Sequence, residues 1–273
     1  MTLARLLGIA ALALSLRVAT AEAADQAEAV DRSALRVCSD PASLPFSDKN
    51  GGGFENKIAE LFAAKLGVPI KYTWYPNSTG FVRNTLRVRR CDLIMGIVTG
   101  AELVQTTNPY YRSAYVMVTR KADNIAAETI EDPALKTLKL GVTAGAPPAD
   151  LVAKAGLAGQ VRPYDLFVDS RYDSPGKKMI DDLANKEIDV AILWGPIAGY
   201  FAAQHGDTLK VTPLVKEAKD TRLSFYIAMG VRPDETKWKH DIDALIRDNK
   251  AAIDAILRDY HIPLLDAKGN PIP

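Results

Sequence analysis

Asp92-Leu93-Ile94-Met95-Gly96-Ile97-Val98 is an apolar run of strand length opened by a single acid, and such a run suits a strand buried on both faces. What precedes it completes a unit. Leu35-Arg36-Val37-Cys38 reads as a first strand leaving through Ser39-Asp40-Pro41, and Phe54, Ile58, Leu61, Phe62 and Leu66 recur at helical spacing until Gly67 stops them. Val68 to Tyr75 reads as a second strand and Thr79 to Arg90 as a second helix, so residues 35–98 form β-α-β-α-β. The pattern then recurs. Leu138 to Thr143 is a strand, Ser174 to Glu187 a helix and Ile188 to Trp194 another buried strand.

Two such blocks predict two lobes. The β-rich stretches 115–120 and 223–231 are placed to carry the chain across and back. After Pro233, Ile242, Leu245, Ile246, Ile253, Ile256 and Leu257 build two apolar helix faces with no strands of their own to cover, so they return to the first lobe. The expected division is residues 34–117 plus 228–273 for lobe 1 and 121–222 for lobe 2. A chain of 273 residues, 48% hydrophobic and 25% charged, is of ordinary globular composition and long enough to divide this way.

Residues 1–23 read as an export signal: Arg5, an uncharged stretch from Leu6 to Leu16, and Ala21-Glu22-Ala23 as the cleavage pattern. The run is too short to span a bilayer of about 30 Å. Its removal takes two of the 34 basic and one of the 33 acidic side chains and leaves a formally neutral protein, which argues against nucleic acid as a partner. No later segment is apolar enough to insert in a membrane, and the expected location is the periplasm. Catalytic signatures are missing too: there is no G-x-S-x-G elbow and no Walker A loop, and the three histidines are isolated, so no metal site is expected.

Several stretches carry a family likeness. Leu35 to Asp40, Pro45-Phe46, Gly53-Phe54-Glu55, Cys91-Asp92-Leu93, Thr99 and Pro109-Tyr110-Tyr111 resemble the type II periplasmic solute-binding proteins of ABC transporters. More narrowly, residues 44–47, 53–59, 80–86 and 107–113 resemble the MoxJ/XoxJ family, which is associated with pyrroloquinoline-quinone methanol dehydrogenases. The implied fold is α/β, two doubly wound lobes joined by two crossing strands with a cleft between them. The implied partner is a quinoprotein methanol dehydrogenase, whose PQQ and calcium or lanthanide belong to that enzyme. No cofactor is expected in this chain.

Amino-acid receptors of this fold hold the α-carboxylate with an arginine after the third strand and the α-ammonium with a second-lobe carboxylate. Aligned on Pro109-Tyr110-Tyr111, those positions fall at Gly100 and Trp194. An amino acid in such a cleft would lose its hydration without gaining ionic partners. The residues expected at the cleft are Ser39, Asp40, Phe46, Thr99, Tyr110, Thr143, Gly145 and Trp194, for a partner segment or a small neutral or aromatic ligand. With Asp40 the one acid placed there, no catalytic pair is formed and the protein is read as non-enzymatic, a maturation or activation partner; a transport receptor is the alternative.

Two further expectations concern the first lobe. Arg83, Arg87 and Arg90 fall at helical spacing and could form a docking stripe for an acidic partner. Cys38 and Cys91 are expected to be free thiols, because Cys38 lies near the cleft end of its strand. Cys91 begins the neighbouring strand at the far end, so the two stand about 13 Å apart at about 3.3 Å per residue, too far for a bridge.

Overall fold

The computed structural model describes residues 32–217 and 222–272, so the expected export signal lies outside the described residues. β1 (Leu35–Ser39), α1 (Phe54–Leu66), β2 (Ile70–Trp74), α2 (Phe81–Asn84) and β3 (Leu93–Val98) build the first lobe, with β1 parallel to both β2 and β3. β4 (Tyr111–Arg120) leads into the second lobe. There follow β5 (Leu140–Thr143), α3 (Pro147–Lys154), β6 (Val161–Tyr164), α4 (Pro175–Ala184), β7 (Val190–Trp194), α5 (Gly195–Ala203) and β8 (Leu209–Pro213). β9 (Ser224–Val231) returns, and α6 (Thr236–Asp248) and α7 (Lys250–Asp259) close the chain's helical part.

The strands hydrogen-bond in one continuous order, β2-β1-β3-β9-β4-β7-β5-β6, with β8 also on β4. β4 changes partners along its length. Tyr111 to Ala114 pair with β9, whereas Tyr115 to Arg120 lie between β7 and β8. Likewise Ile227 to Gly230 of β9 pair with β3. The stretches 115–120 and 223–231 therefore fall in different lobes' sheets, and the chain crosses near Ala114–Tyr115 and Leu223–Ser224, where Tyr115 N–H donates to Leu223 O at 2.8 Å.

Burial follows the apolar spacing. Phe54, Ile58 and Phe62 of α1 pack with Val37, Leu93 and Met95 and with Trp238, Ile242, Ile246, Ile253 and Leu257, so the last two helices do join the first lobe's core. In the second lobe the α4 and α5 residues Met179, Ile180, Leu183 and Phe201 cover one face, and Ile130, Leu135, Val152 and Leu157 the other. That is a sheet wound on both sides.

The helix expected over 79–90 does not form. α2 has four residues, because Thr85 leaves helical dihedrals and turns its hydroxyl back to Phe81 O at 2.6 Å, and Arg89 takes φ +59°. Only Phe81, Thr85 and Leu86 of this stretch are buried, too few to hold a longer helix against the sheet.

The thiol expectation is overturned as well. Cys38 and Cys91 form a disulfide with Cα atoms 5.5 Å apart. β3 begins at Leu93, so Cys91 is not a strand residue: it lies in the turn descending from α2, folded over the sheet face beside Cys38 among Phe81, Leu86, Ile94 and Val104. Extended chain begins only at Leu93 and does not run back to residue 91. The bridge closes a separation of 53 residues, worth about 4 kcal/mol in the chain-entropy model.

Candidate functional site

The turn after β1 and the start of α1 are pinned together before any ligand is considered. Asn56 accepts from the backbone N–H groups of Gly53 and Asp48 at 3.1 and 3.0 Å, which caps α1. At Gly53 a Cβ would stand 2.1 Å from Phe46 O, so only glycine lets these segments meet. The result brings Phe46 and Glu55 to the cleft beside Ser39 and Asp40.

Between the lobes lies a cavity of about 520 Å³. The first lobe supplies Ser39, Asp40, Phe46, Glu55, Phe81, Tyr111 and residues 96–98; the crossing supplies Tyr115, Phe225 and Ile227; the second lobe supplies residues 166–168, Ser170, Trp194 and Ile197. The walls stand at the carboxyl ends of β1, β3, β6 and β7, where doubly wound sheets place their ligands. Trp194 meets Tyr115 and Phe225 edge-on, with ring centroids 5.3 and 6.0 Å away. It is therefore both lobe packing and cavity wall.

Of the eight residues expected at the cleft, Ser39, Asp40, Phe46 and Trp194 line the cavity and Thr99, Tyr110, Thr143 and Gly145 do not. Tyr110 is fully buried in the first core, and it is the next residue, Tyr111, that faces the cavity. Thr99 lies one residue beyond β3, tied through its N–H to Tyr226 O at 3.1 Å. Thr143 ends β5, a strand separated from the crossing by β7, and Gly145 sits in the exposed turn after it. Arg83, Arg87 and Arg90 are all exposed but share no helix, since only Arg83 belongs to α2.

Asp40 joins the two lobes. Its carboxylate accepts from Ala42 N at 2.9 Å, Asn77 N at 2.6 Å and, across the cleft, the Ser170 hydroxyl at 2.6 Å. Glu55 is a second acid that sequence spacing missed. Burial, reinforced by the negative Asp40 nearby, pushes its pKa up to about 8. Gly96 makes room for it, because a Cβ there would lie 2.2 Å from Glu55 Oε1. Among the described residues no arginine, lysine or histidine lines the cavity, and Gly100 stands in an exposed turn at φ +82°.

The sequence matches the bacterial extracellular solute-binding proteins, family 3, over residues 35–262. It is 31% identical over 262 residues to protein MoxJ of Methylorubrum extorquens, covering 90% of this chain and 86% of that one. The crystal structure of the periplasmic binding protein XoxJ from Methylobacterium extorquens AM1 superposes with a TM-score of 0.73 at 44% identity, covering 85% of this chain and 99% of the other. The chain is a family 3 solute-binding protein of the MoxJ/XoxJ group. Protein MoxJ of Paracoccus denitrificans, 29% identical over 86% of this chain and 90% of its own, agrees. The fold is that of a solute-binding protein, and among the described residues the cavity lining holds no base and no acid from the second lobe. No helix among the described residues is long and apolar enough to cross a membrane.

Proposed function

We propose that this protein is a periplasmic partner of a PQQ-dependent methanol dehydrogenase and binds that enzyme to assist its maturation or activation. The observation that carries the reading is a cleft with no basic side chain among its described lining residues, in a chain akin to MoxJ and XoxJ along nearly its whole length. A receptor for amino acids needs a cation for the carboxylate; a protein that recognises a partner does not. Lobe closure supplies the mechanism. A partner that binds the closed form more tightly than the open one shifts the balance toward closure by that difference in affinity, and closure in turn favours whichever enzyme conformation fits it. The exposed Arg83, Arg87 and Arg90 would draw an acidic partner surface to the first lobe in a salt-dependent encounter.

The test is to immobilise residues 24–273, pass periplasmic extract of methanol-grown cells over them, and identify what is held at low and moderate salt. Retention of a quinoprotein dehydrogenase is expected, with an association rate that falls in R83E/R87E at low salt. Retention of permease components in its place would make this a transport receptor.

A further inference from the structure

We propose that the cavity between the lobes takes an organic ammonium ion that carries no carboxylate, its charge held by Glu55 and its alkyl groups by the aromatic walls. This goes beyond the dehydrogenase reading and stands with or without it.

The chemistry of the lining makes the selection. Among the described residues two acids and no base line the cavity, so an anion or a zwitterion would bring a negative group against Asp40 and Glu55 with no lining cation to offset it. Asp40 is already occupied by two backbone N–H groups and the Ser170 hydroxyl. Glu55 differs. Its backbone N–H is used, donating to Phe46 O at 2.9 Å, but among the described residues no hydrogen bond ties its carboxyl, whose Oε1 lies beside Gly96 of the cavity wall. Tyr111, Tyr115, Trp194, Phe225 and Phe46 surround the same space, and aromatic faces attract cations once water is excluded. Arg222 stacks on Phe225 at 5.2 Å but does not line the cavity. A volume of about 520 Å³ lies within the usual range for small-molecule pockets.

Protonation gives the site a signature. Among the described residues the groups electrostatically coupled to Glu55 are Asp40 from the turn after β1, Tyr72 from β2, Tyr110 just ahead of β4 and Tyr111 at its start, none of them a cation. With its pKa pushed up to about 8, Glu55 must release a proton to hold a cation. Affinity for a permanent cation therefore rises with pH up to about 8 and levels off above it.

The experiment is calorimetric titration of the purified protein with choline and n-butylammonium chlorides, against 3,3-dimethylbutan-1-ol and 1-butanol as uncharged counterparts and against glutamine. Both cations should bind saturably, with the alcohols and glutamine at least about tenfold weaker, and choline affinity should fall about tenfold per pH unit below the Glu55 pKa. Glu55→Gln should weaken the cations at least about tenfold while the thermal midpoint of the free protein is kept or raised. Trp194→Leu, which preserves an apolar wall without its π face, should weaken them severalfold. An alcohol or glutamine binding as tightly as the cations, undiminished cation affinity in Glu55→Gln, or no binding heat from either cation up to about 10 mM would each overturn the proposal.

Discussion

Glu55 occupies the first turn of α1, where a negative charge ordinarily profits from the helix dipole, yet burial and Asp40 outweigh that gain and push its pKa up to about 8 from an ordinary 4.5. The folded state thus holds a proton between those values that the unfolded chain releases. Stability must fall as pH rises through this window and level off above about 8, by about 1.4 kcal/mol per pH unit from this group. Urea unfolding at pH 5, 6, 7 and 8 should show Glu55→Gln gaining on the parent protein at each step. Parallel curves would mean that Glu55 is charged in the folded state. Spacing could not reveal this residue, because an acid in a helix's first turn reads as a commonplace cap; only the approach of Gly96 from a different strand encloses it. Ser39, Asp40 and Phe46 were legible, since Ser39 ends β1, Asp40 and Phe46 lie in the segment after it, and the end of a parallel strand is where the cleft must be.

Among the elements, β1, β3, β7 and α1 are plain from their apolar patterns, because for each of them burial is decided by its own residues. The stretch 79–90 is not, because its periodic residues are arginines and solvent does not enforce a helix. A buried tie between this stretch and the rest is Arg232, placed just after β9. It is 3% exposed and donates to Asp92, to Glu235 at 2.6 Å, and to the carbonyls of Leu86 and Cys91 at 3.0 and 2.5 Å. Asp92 is also held by Arg36 at 2.6 Å, which gives the acid opening the fold-deciding run a structural task. Arg232→Met would strip a buried acid pair of its enclosed cation and should cost about 3 kcal/mol in denaturant unfolding with an unchanged slope. A cost under about 1 kcal/mol would show that Arg32, Arg36 and Arg89 neutralise the pair unaided.

At the scale of the whole molecule, the discontinuous first lobe is read from two helices without strands, whose Trp238 and Ile253 share a core with Phe54. The crossing points could not, since a strand's sequence does not mark where its neighbours change. Closure rests in part on the bond from Ser170 to Asp40 at 2.6 Å. Ser170→Ala should shift the balance toward the open form by about tenfold, the effect of one hydrogen bond to a charged group, and small-angle scattering should report a larger radius of gyration. An unchanged radius would place closure on the aromatic contacts of Trp194.

Because β4 passes from β9 to β7 at the crossing, and Tyr115 is bonded there to Leu223 just ahead of β9, the lobes are connected by a ribbon and not by a single thread. A thread permits swivel about its own axis; a two-stranded ribbon resists it and leaves bending as the soft motion. Lobe position then reduces to one angle. Anything gripping both rims reads a gauge with a single coordinate, and anything filling the gap sets that coordinate for every surface on the protein at once.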